Sequence, residues 1–284
     1  MTSLLADLIK HYQKTFEATV FKYPNENFDS IFTFLDFEQM MKSTRFVEND
    51  ILVYKSGQVV NDADLMISKN NKSDPLLNAK RFSNKKLHRF FLTGKVGFKV
   101  NAIYDFSEKL NKFRRTLAQT LACNVSINAY YSPAGSEKVL APHRDGYNIL
   151  ILQLAGQKKF YFGEITDEKV KTDKAMIELS AGEALYLPAR LAHYAEASEG
   201  KDSFHLTVGL HELRLEDYVH FFLRNSPGWQ FFVEKSLPIN SSGNVTTDEF
   251  RQMVGQATEI MNQQLADPKF LEQFLMANLN NSEI

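Results

Sequence analysis

The 284-residue sequence contains a single cysteine, Cys123, in "TLACNVSI". One thiol excludes an internal disulfide and a thiolate metal cage. Its apolar neighbours mark it as a buried structural residue. No run approaches eighteen apolar residues, so no transmembrane helix is expected. The opening "MTSLLADLIKHYQKTFE" has neither a long apolar core nor a cleavage site, and so does not read as a signal peptide. Charge of either sign is not in excess. Lys and Arg number 33 against 34 Asp and Glu, which removes a global attraction to nucleic acid or to an anionic membrane. The cations of "NKFRRTLAQ" read as the wet face of a helix. No internal repeat and no low-complexity tail is present. These absences point to a cytoplasmic globular protein with a sizeable core.

The hydrophobic period changes twice along the chain. Residues 2–18 place Leu4, Leu5, Leu8, Ile9 and Tyr12 at helical spacing. "NFDSIFTFLDFEQMMKS" predicts one or two short helices capped at Asn27 or Asp29. "RFVENDILVYKSGQVV" predicts two strands, or a strand and a turn. "SKNNKSDPLLNAKRFSNKK" reads as a polar loop. "SEKLNKFRRTLAQTLA" predicts a helix with Leu110, Phe113, Leu117 and Leu121 on one side. Short β-rich pieces then follow: "VSINAYYS", "YNILILQLAG", "KKFYFGE", "EALYLPA", "HYAEAS" and "SFHLTVGLHEL". Turn residues separate them, as in a sandwich or barrel. From about residue 214 helical patterning returns in "RLEDYVHFFLRN" and "TTDEFRQMVGQATEIMNQQLADPKFLEQFLMANL", with Thr247 or Asp248 as a cap after the loop "INSSGNVTTDE". The expected organisation is N-terminal helical and strand elements over 1–92, a β core over 93–213 and a helical appendage over 214–284.

His143 and Asp145 stand two residues apart at the entry to an aliphatic strand. Residues at that spacing share one face of a strand, so both can hold one ion while Arg144 points away. A His-X-Asp pair is by itself a weak signal. "GEALYLPARLAHYAEA" adds His193 after a proline turn. Two histidines and a carboxylate with open positions are the ligand set of non-haem iron(II) oxygenases.

Residues 93–211 resemble the JmjC-type cupin oxygenases, in particular the ribosomal-oxygenase-like branch. The motifs that carry the resemblance run in order: Asn128-Ala-Tyr130-Tyr-Ser132-Pro133-Ala-Gly135-Ser136, Pro142-His143-Arg-Asp145, Leu152-Gln153-Leu154-Ala-Gly156-Gln-Lys158, Gly182-Glu-Ala-Leu185-Tyr186-Leu187-Pro188, His193-Tyr-Ala195-Glu196 and His205-Leu206-Thr207. "LTGKVGFKVNAIYDF" resembles the strand before this core, and "FFVEKSLPI" the start of the family's helical dimerisation region. The resemblance implies a double-stranded β-helix (jelly-roll) with His143, Asp145 and His193 as metal ligands. It implies Fe(II), 2-oxoglutarate as cosubstrate, and dioxygen. It also implies Lys158 as the cation for the distal carboxylate of the cosubstrate, assisted by Asn128 and Tyr130. Alternation supports Lys158, which shares a face with Phe160 and Phe162, over Lys159, which shares one with Tyr161. His205 is either an orienting residue beside the ligands or a core histidine. His11, His88, His211 and His220 carry no pattern.

Arg144 and Gly146 depart from the family's aromatic and acidic residues beside the metal pair, and "SEKVLAPH" is about one residue longer than its usual spacing. With about forty residues after the loop near residue 240, the expectation is that the winged-helix domain of ribosomal members does not follow, which would favour a dedicated peptide substrate such as a natural-product precursor. The expectation is a hydroxylase acting on a protein or peptide side chain. It would be a homodimer through the aromatic-rich C-terminal helices (Phe221, Phe222, Trp229, Phe231, Phe232), with no membrane or nucleic-acid partner. The alternatives are a JmjC-type N-methyl demethylase, a non-oxygenase cupin that binds metal, and a peptide-binding scaffold without iron.

Overall fold

The computed structural model describes residues 21–23, 27–44, 46–47, 49–55, 58–59, 65–68, 80–93, 96–134, 141–166, 169–226, 228, 231, 235–238 and 246–279. The expected first helix lies outside them, as do Trp229 and Phe232. The described chain divides into two units. One comprises Met1–Leu121 with Val125–His211, the other Ala122–Asn124 with Glu212–Ile284.

The first unit opens with β1 (Phe21–Tyr23), α1 (Phe34–Ser43), β2 (Ile51–Lys55), β3 (Gln58–Val59), β4 (Met66–Ser68), β5 (Lys80–Phe82) and α2 (Asn84–Leu92). β6 (Gly97–Val100), α3 (Glu108–Leu121) and β7 (Cys123–Ser132) follow. β8 (Asn148–Thr166), β9 (Lys169–Ser180), β10 (Ala184–Leu187), β11 (Ala192–Ala197) and β12 (Ser203–Glu212) complete it. The main sheet runs β1-β10-β8-β12-β7-β6-β2-β3, and β9 and β11 both pair with β8. β8 joins the two layers. Its first half, from Asn148 to Gly156, pairs with β10 and β12, and its second half, from Gln157 to Thr166, with β9 and β11. This is the expected double-stranded β-helix.

"YNILILQLAG" and "KKFYFGE", read as two strands, are therefore one strand. The join is Gly156, at φ +66°, in the left-handed region that suits glycine. A Cβ there would lie 1.6 Å from the carbonyl oxygen of Asp202. Beyond it the cavity-facing parity changes from odd (Ile149, Ile151) to even (Lys158, Phe160).

Other local expectations shift for physical reasons. α1 is capped by Thr33, not Asn27 or Asp29. The Asp36 amide donates to Thr33 Oγ1 at 3.0 Å and the Thr33 amide to Asp36 Oδ2 at 2.9 Å. This reciprocal box satisfies two otherwise orphaned donors and contributes about 1 kcal/mol. The polar stretch read as a loop ends in β5 and the first residues of α2, where Ser83 caps the helix by accepting from Lys86. On α3, Leu110, Leu117 and Leu121 are buried as expected, but Phe113 is only partly so. Arg114 is buried instead, its guanidinium 4.8 Å from the centre of the Tyr104 ring. β9 was not anticipated. Of its described side chains Ala175, Met176 and Glu178 are exposed, Ile177 and Ser180 partly so, and Leu179 alone is buried.

α1 and α2 cover the outer face of the sheet. Phe37 and Phe91 pack in a T-shape at 5.8 Å, and Phe37 lies 4.6 Å from Phe204 of β12. Tyr131 of β7 joins this cluster, while its neighbour Tyr130 faces the opposite way into the barrel. Alternation on two adjacent strands thus separates a dry aromatic layer from the interior that holds the site.

In the second unit, α4 (Leu215–Asn225), α5 (Thr247–Leu265) and α6 (Pro268–Leu279) share a small core of Tyr218, Phe222, Phe270 and Phe274. Phe221 packs against it, so the Phe221–Phe222 pair is largely absorbed within the unit. α5 begins after Thr246 rather than after Thr247 or Asp248, and Pro268 separates α5 from α6. Among the described residues, no helix is long and apolar enough to cross a membrane.

Candidate metal centre and cosubstrate cavity

His143 precedes β8 and His193 opens β11. Their backbones pair as an isolated antiparallel bridge, each amide donating to the other's carbonyl at 3.1 and 3.0 Å. This bridge sets the two imidazoles side by side, with ring centres 4.6 Å apart. Each ring is then oriented identically. His143 Nδ1 lies 2.9 Å from the Ala141 carbonyl and His193 Nδ1 2.9 Å from the Leu191 carbonyl. A carbonyl only accepts, so both Nδ1 atoms carry the proton and both Nε2 lone pairs are free. Those lone pairs converge on Asp145: Nε2 of His143 and His193 lie 3.6 and 3.5 Å from its Oδ2.

All three ligand atoms lie within 4.8 Å of one another. Bonds of about 2.0–2.2 Å to one ion at right angles would place such atoms about 3 Å apart, so the trio fits a metal with little adjustment. Burial, with the neighbouring His143 adding to it, lowers the pKa of His193, which favours the neutral, ligating form. The side chain of His143 is 38% exposed against 20% for Asp145 and 9% for His193, so His143 forms the outer edge.

Asp145 is held from two sides. Its carbonyl accepts from the Arg190 amide at 2.7 Å, in the turn before β11. Its carboxylate faces the Tyr147 hydroxyl. Burial first, then the nearby Asp145 carboxylate, push the Tyr147 phenol up to about 12. The Tyr147 ring packs 3.9 Å from that of His211, whose Nε2 is 2.9 Å from Ser126 Oγ. Gly209 makes room for this group. A Cβ there would lie 2.6 Å from Ser126 Oγ and 2.9 Å from both His211 Nε2 and Tyr147 Cε2. Such outer contacts orient a metal-binding carboxylate. None of Tyr147, Ser126, His211 or Gly209 was singled out from sequence, although Tyr147 stands two residues beyond Asp145 and so shared its same-face signal.

A cavity of about 410 Å³ extends from these ligands into the barrel. Ile149, Ile151 and Phe160 give it apolar walls. Asn128 and Tyr130 line it from β7, and Lys158 from β8. Lys158 is only 2% exposed, and its Nζ donates to Ser132 Oγ at 2.9 Å. Among the described residues it faces no carboxylate. Burial pushes its pKa down to about 7. A buried ammonium without a counter-charge is costly, so the site fits an anionic ligand group. Asn128 accepts from the Ala102 amide through Oδ1 at 3.0 Å, which leaves its NH₂ to donate. Lys159 and Tyr161, on the other face, are partly exposed.

His205 is also buried. It stacks on Tyr130 with ring centres 5.0 Å apart and 3° between planes. Its Nδ1 has no hydrogen-bond partner among the described residues. Burial, followed by the Lys158 charge, holds its pKa well below the ordinary value. The structure therefore brings His143, Asp145, His193, Lys158, Asn128 and Tyr130 to one cavity, with His205 beside them. Gly135 and Ser136 lie outside the described residues, and His88 and His220 do not line the cavity.

A jelly-roll with two histidines and an aspartate at the mouth of its barrel is the arrangement that the sequence motifs implied, and over this region the chain is similar to JmjC-type cupins. The family model of the JmjC domain matches residues 101–218. Among curated relatives, the bifunctional lysine-specific demethylase and histidyl-hydroxylase NO66 of Dictyostelium discoideum is 30% identical over 36% of this chain and 23% of its own length. Ribosomal oxygenase 2 of Mus musculus is 23% identical over 65% of this chain and 40% of its own. The chain thus spans well under half the length of these relatives. Among solved structures, YcfD, a ribosomal oxygenase from Escherichia coli in complex with cobalt and succinic acid, superposes with a TM-score of 0.56 at 16% identity, covering 96% of this chain and 71% of that one. A YcfD complex with cobalt and 2-oxoglutarate gives 0.56 at 14%, covering 98% and 72%.

Proposed function

We propose that this chain is an Fe(II)- and 2-oxoglutarate-dependent hydroxylase that oxidises a side chain of a protein or peptide. One observation carries the reading. The same cavity holds a two-histidine, one-carboxylate set at its mouth and a buried, uncompensated lysine in its wall. A dicarboxylate cosubstrate that meets the metal at one end and Lys158 at the other accounts for both. Bound iron with 2-oxoglutarate and dioxygen supplies the oxidation, with release of succinate and carbon dioxide.

The chain's own residues prepare that chemistry. The backbone carbonyls of Ala141 and Leu191 hold both imidazoles with Nε2 inward, and Tyr147 holds the Asp145 carboxylate. Lys158, with Ser132, receives the distal carboxylate, and the Asn128 NH₂ and Tyr130 line its approach. Ile149, Ile151 and Phe160 keep water from the reacting centre. The names of the relatives, ribosomal oxygenases and a histidyl-hydroxylase, support a protein or peptide substrate, and a precursor peptide encoded beside this chain is the first candidate. In this reading residues 93–213 form the catalytic region and 214–284 a dimerisation region, supported by the exposed Phe250 and Val254 of α5 and Leu271, Leu275 and Met276 of α6.

Intact-mass analysis of candidate peptides tests the reaction. The expected result is the gain of one oxygen atom, dependent on iron and 2-oxoglutarate and lost in His143→Ala. Loss of a methyl group from an N-methylated peptide would assign the demethylase chemistry that the Dictyostelium relative's name includes. An iron-loaded protein that converts no 2-oxoglutarate to succinate would refute the proposal and leave a metal-binding cupin. Light scattering on the full chain, expected at twice the monomer mass, tests the dimer.

A further inference from the structure

The cavity contains a second lysine for which neither the metal nor the cosubstrate has a use. Lys99 lies on β6 between Phe98 and Val100, both buried on the far side of the sheet. It pairs directly with Tyr130 of β7, so the two side chains share the face that lines the cavity. Its Nζ sits 5.7 Å from the centre of the Tyr130 ring. Among the described residues it makes no ion pair. Burial lowers its pKa, and the Asp145 charge across the cavity opposes that shift. An aromatic face holds this ammonium in place without neutralising it.

Counting charge shows what is missing. The described lining has three charged side chains: Lys99, Lys158 and Asp145. Below about pH 7, where Lys158 keeps its proton, two positive and one negative leave the empty cavity at one net positive charge. Loading a divalent metal and a dianionic cosubstrate adds nothing to this sum. Lys158 and Asp145 then balance the loaded site, and Lys99 remains over. A half-buried cation left unneutralised in a partly apolar cavity favours an arriving anion. Lys158 is assigned to the cosubstrate and the His143, Asp145 and His193 set to the metal, so the further anion that Lys99 would meet in this cavity is one carried by the substrate.

We infer that Lys99 is a specificity-determining residue that receives a carboxylate of the substrate, carried at or beside the side chain that is oxidised. This rests on the hydroxylase reading above and narrows its substrate to acidic peptides. A side-chain carboxylate and a peptide C-terminus offer the same chemistry, and the test separates them.

Three short peptide pools with identical randomised flanks serve as probes. One has a central Asp and an amidated C-terminus, one a central Asn and an amidated C-terminus, and one a central Asn and a free C-terminus. Binding is titrated on the full chain loaded with Zn(II), which is redox-inert, with and without 2-oxoglutarate. The Asp pool is expected to bind at least about tenfold more tightly than the amidated Asn pool, a discrimination of about 1.4 kcal/mol. Lys99→Met should bring the ratio to about one, and Lys99→Arg should preserve it. The ratio is read within each protein, so a general loss of affinity or stability does not mimic the result. Equal tightness of the free-terminus Asn pool and the Asp pool supports the inference with the chain end as the source. A wild-type protein that binds the Asp and amidated Asn pools equally, or binds none, overturns it, as does a preference that survives in Lys99→Met. Failure of the hydroxylase reading shows separately, as absence of succinate from the iron-loaded protein.

Discussion

Replacing Lys158 by methionine should raise the stability of the free protein and destroy its affinity for 2-oxoglutarate. The opposite signs follow from one fact: among the described residues the buried ammonium bonds only to the Ser132 hydroxyl and meets no counter-charge. Burial takes its pKa from 10.5 to about 7. At 1.36 kcal/mol for each tenfold, this difference corresponds to a penalty on the order of 5 kcal/mol against the charged form. The penalty is fully present below about pH 7 and vanishes above the unfolded value of 10.5. Methionine has similar length and no charge, and it forfeits only the bond to Ser132, worth about 1 kcal/mol. Allowing for water penetration and relaxation, a net gain of about 2–4 kcal/mol at neutral pH is expected, or at least about 5 °C in melting temperature. The same change removes the partner of the cosubstrate's distal carboxylate. The loss of about 2–5 kcal/mol for a broken buried charge pair weakens binding about 30- to 4,000-fold. Differential scanning calorimetry without ligand and titration calorimetry with 2-oxoglutarate measure the two effects. A variant that melts lower than wild type would refute the account of an uncompensated charge. An unchanged affinity would refute the assignment of Lys158 to the cosubstrate.

The affinity for 2-oxoglutarate should fall by about tenfold per pH unit above about pH 7, where the free Lys158 loses its proton. His205, which faces it, is held neutral throughout and adds no step of its own, while Lys158→Arg should remove the slope because guanidinium does not titrate there. Tyr147→Phe removes the hydroxyl that faces the Asp145 carboxylate and should weaken metal affinity about 10- to 100-fold, measured by competition with a chelator, while leaving the melting temperature of the free protein nearly unchanged. Gly156→Ala combines a left-handed backbone with a Cβ 1.6 Å from the Asp202 carbonyl oxygen, so a loss of at least about 3 kcal/mol is expected in chemical denaturation.

The parts of the site that follow from short-range periodicity were legible in the sequence. His143 and Asp145 share a strand face because they are two residues apart, and Asn128 and Tyr130 do so for the same reason. Short strands between turn residues made a sandwich or barrel legible, and the motif resemblance narrowed it to the jelly-roll. What escaped depends on elements far apart in the chain. Lys99 reaches the cavity only because β6 pairs with β7 in the register that sets it opposite Tyr130. Tyr147 acts on Asp145 from a seat made by Ser126, Gly209 and His211, residues contributed by two other strands. β9 escaped because a strand with half of its described side chains exposed and only Leu179 buried needs little apolar alternation to pair with β8.

Gly156 shows why alternation alone was an insufficient guide even within one strand. Counting by twos from Ile149 and Ile151 leads to Gln157 and Lys159, and would turn Lys158 away from the cavity. The left-handed residue at Gly156 shifts the parity, and Lys158 and Phe160 take the inward positions instead. Counting from Phe160 places Lys158 on the inward face because that count begins after the break. The glycine is required there by the Asp202 backbone, which approaches too closely for any side chain. Asp202 is in turn held by the Tyr131 hydroxyl at 2.7 Å and the Ala134 amide at 2.8 Å, both at the end of β7. The same strand end carries Ser132, the partner of Lys158. The backbone contact that turns Lys158 inward and the hydroxyl that receives it are thus anchored to one segment. A change that loosens the Tyr131–Asp202 bond should disturb the position of the lysine without touching it.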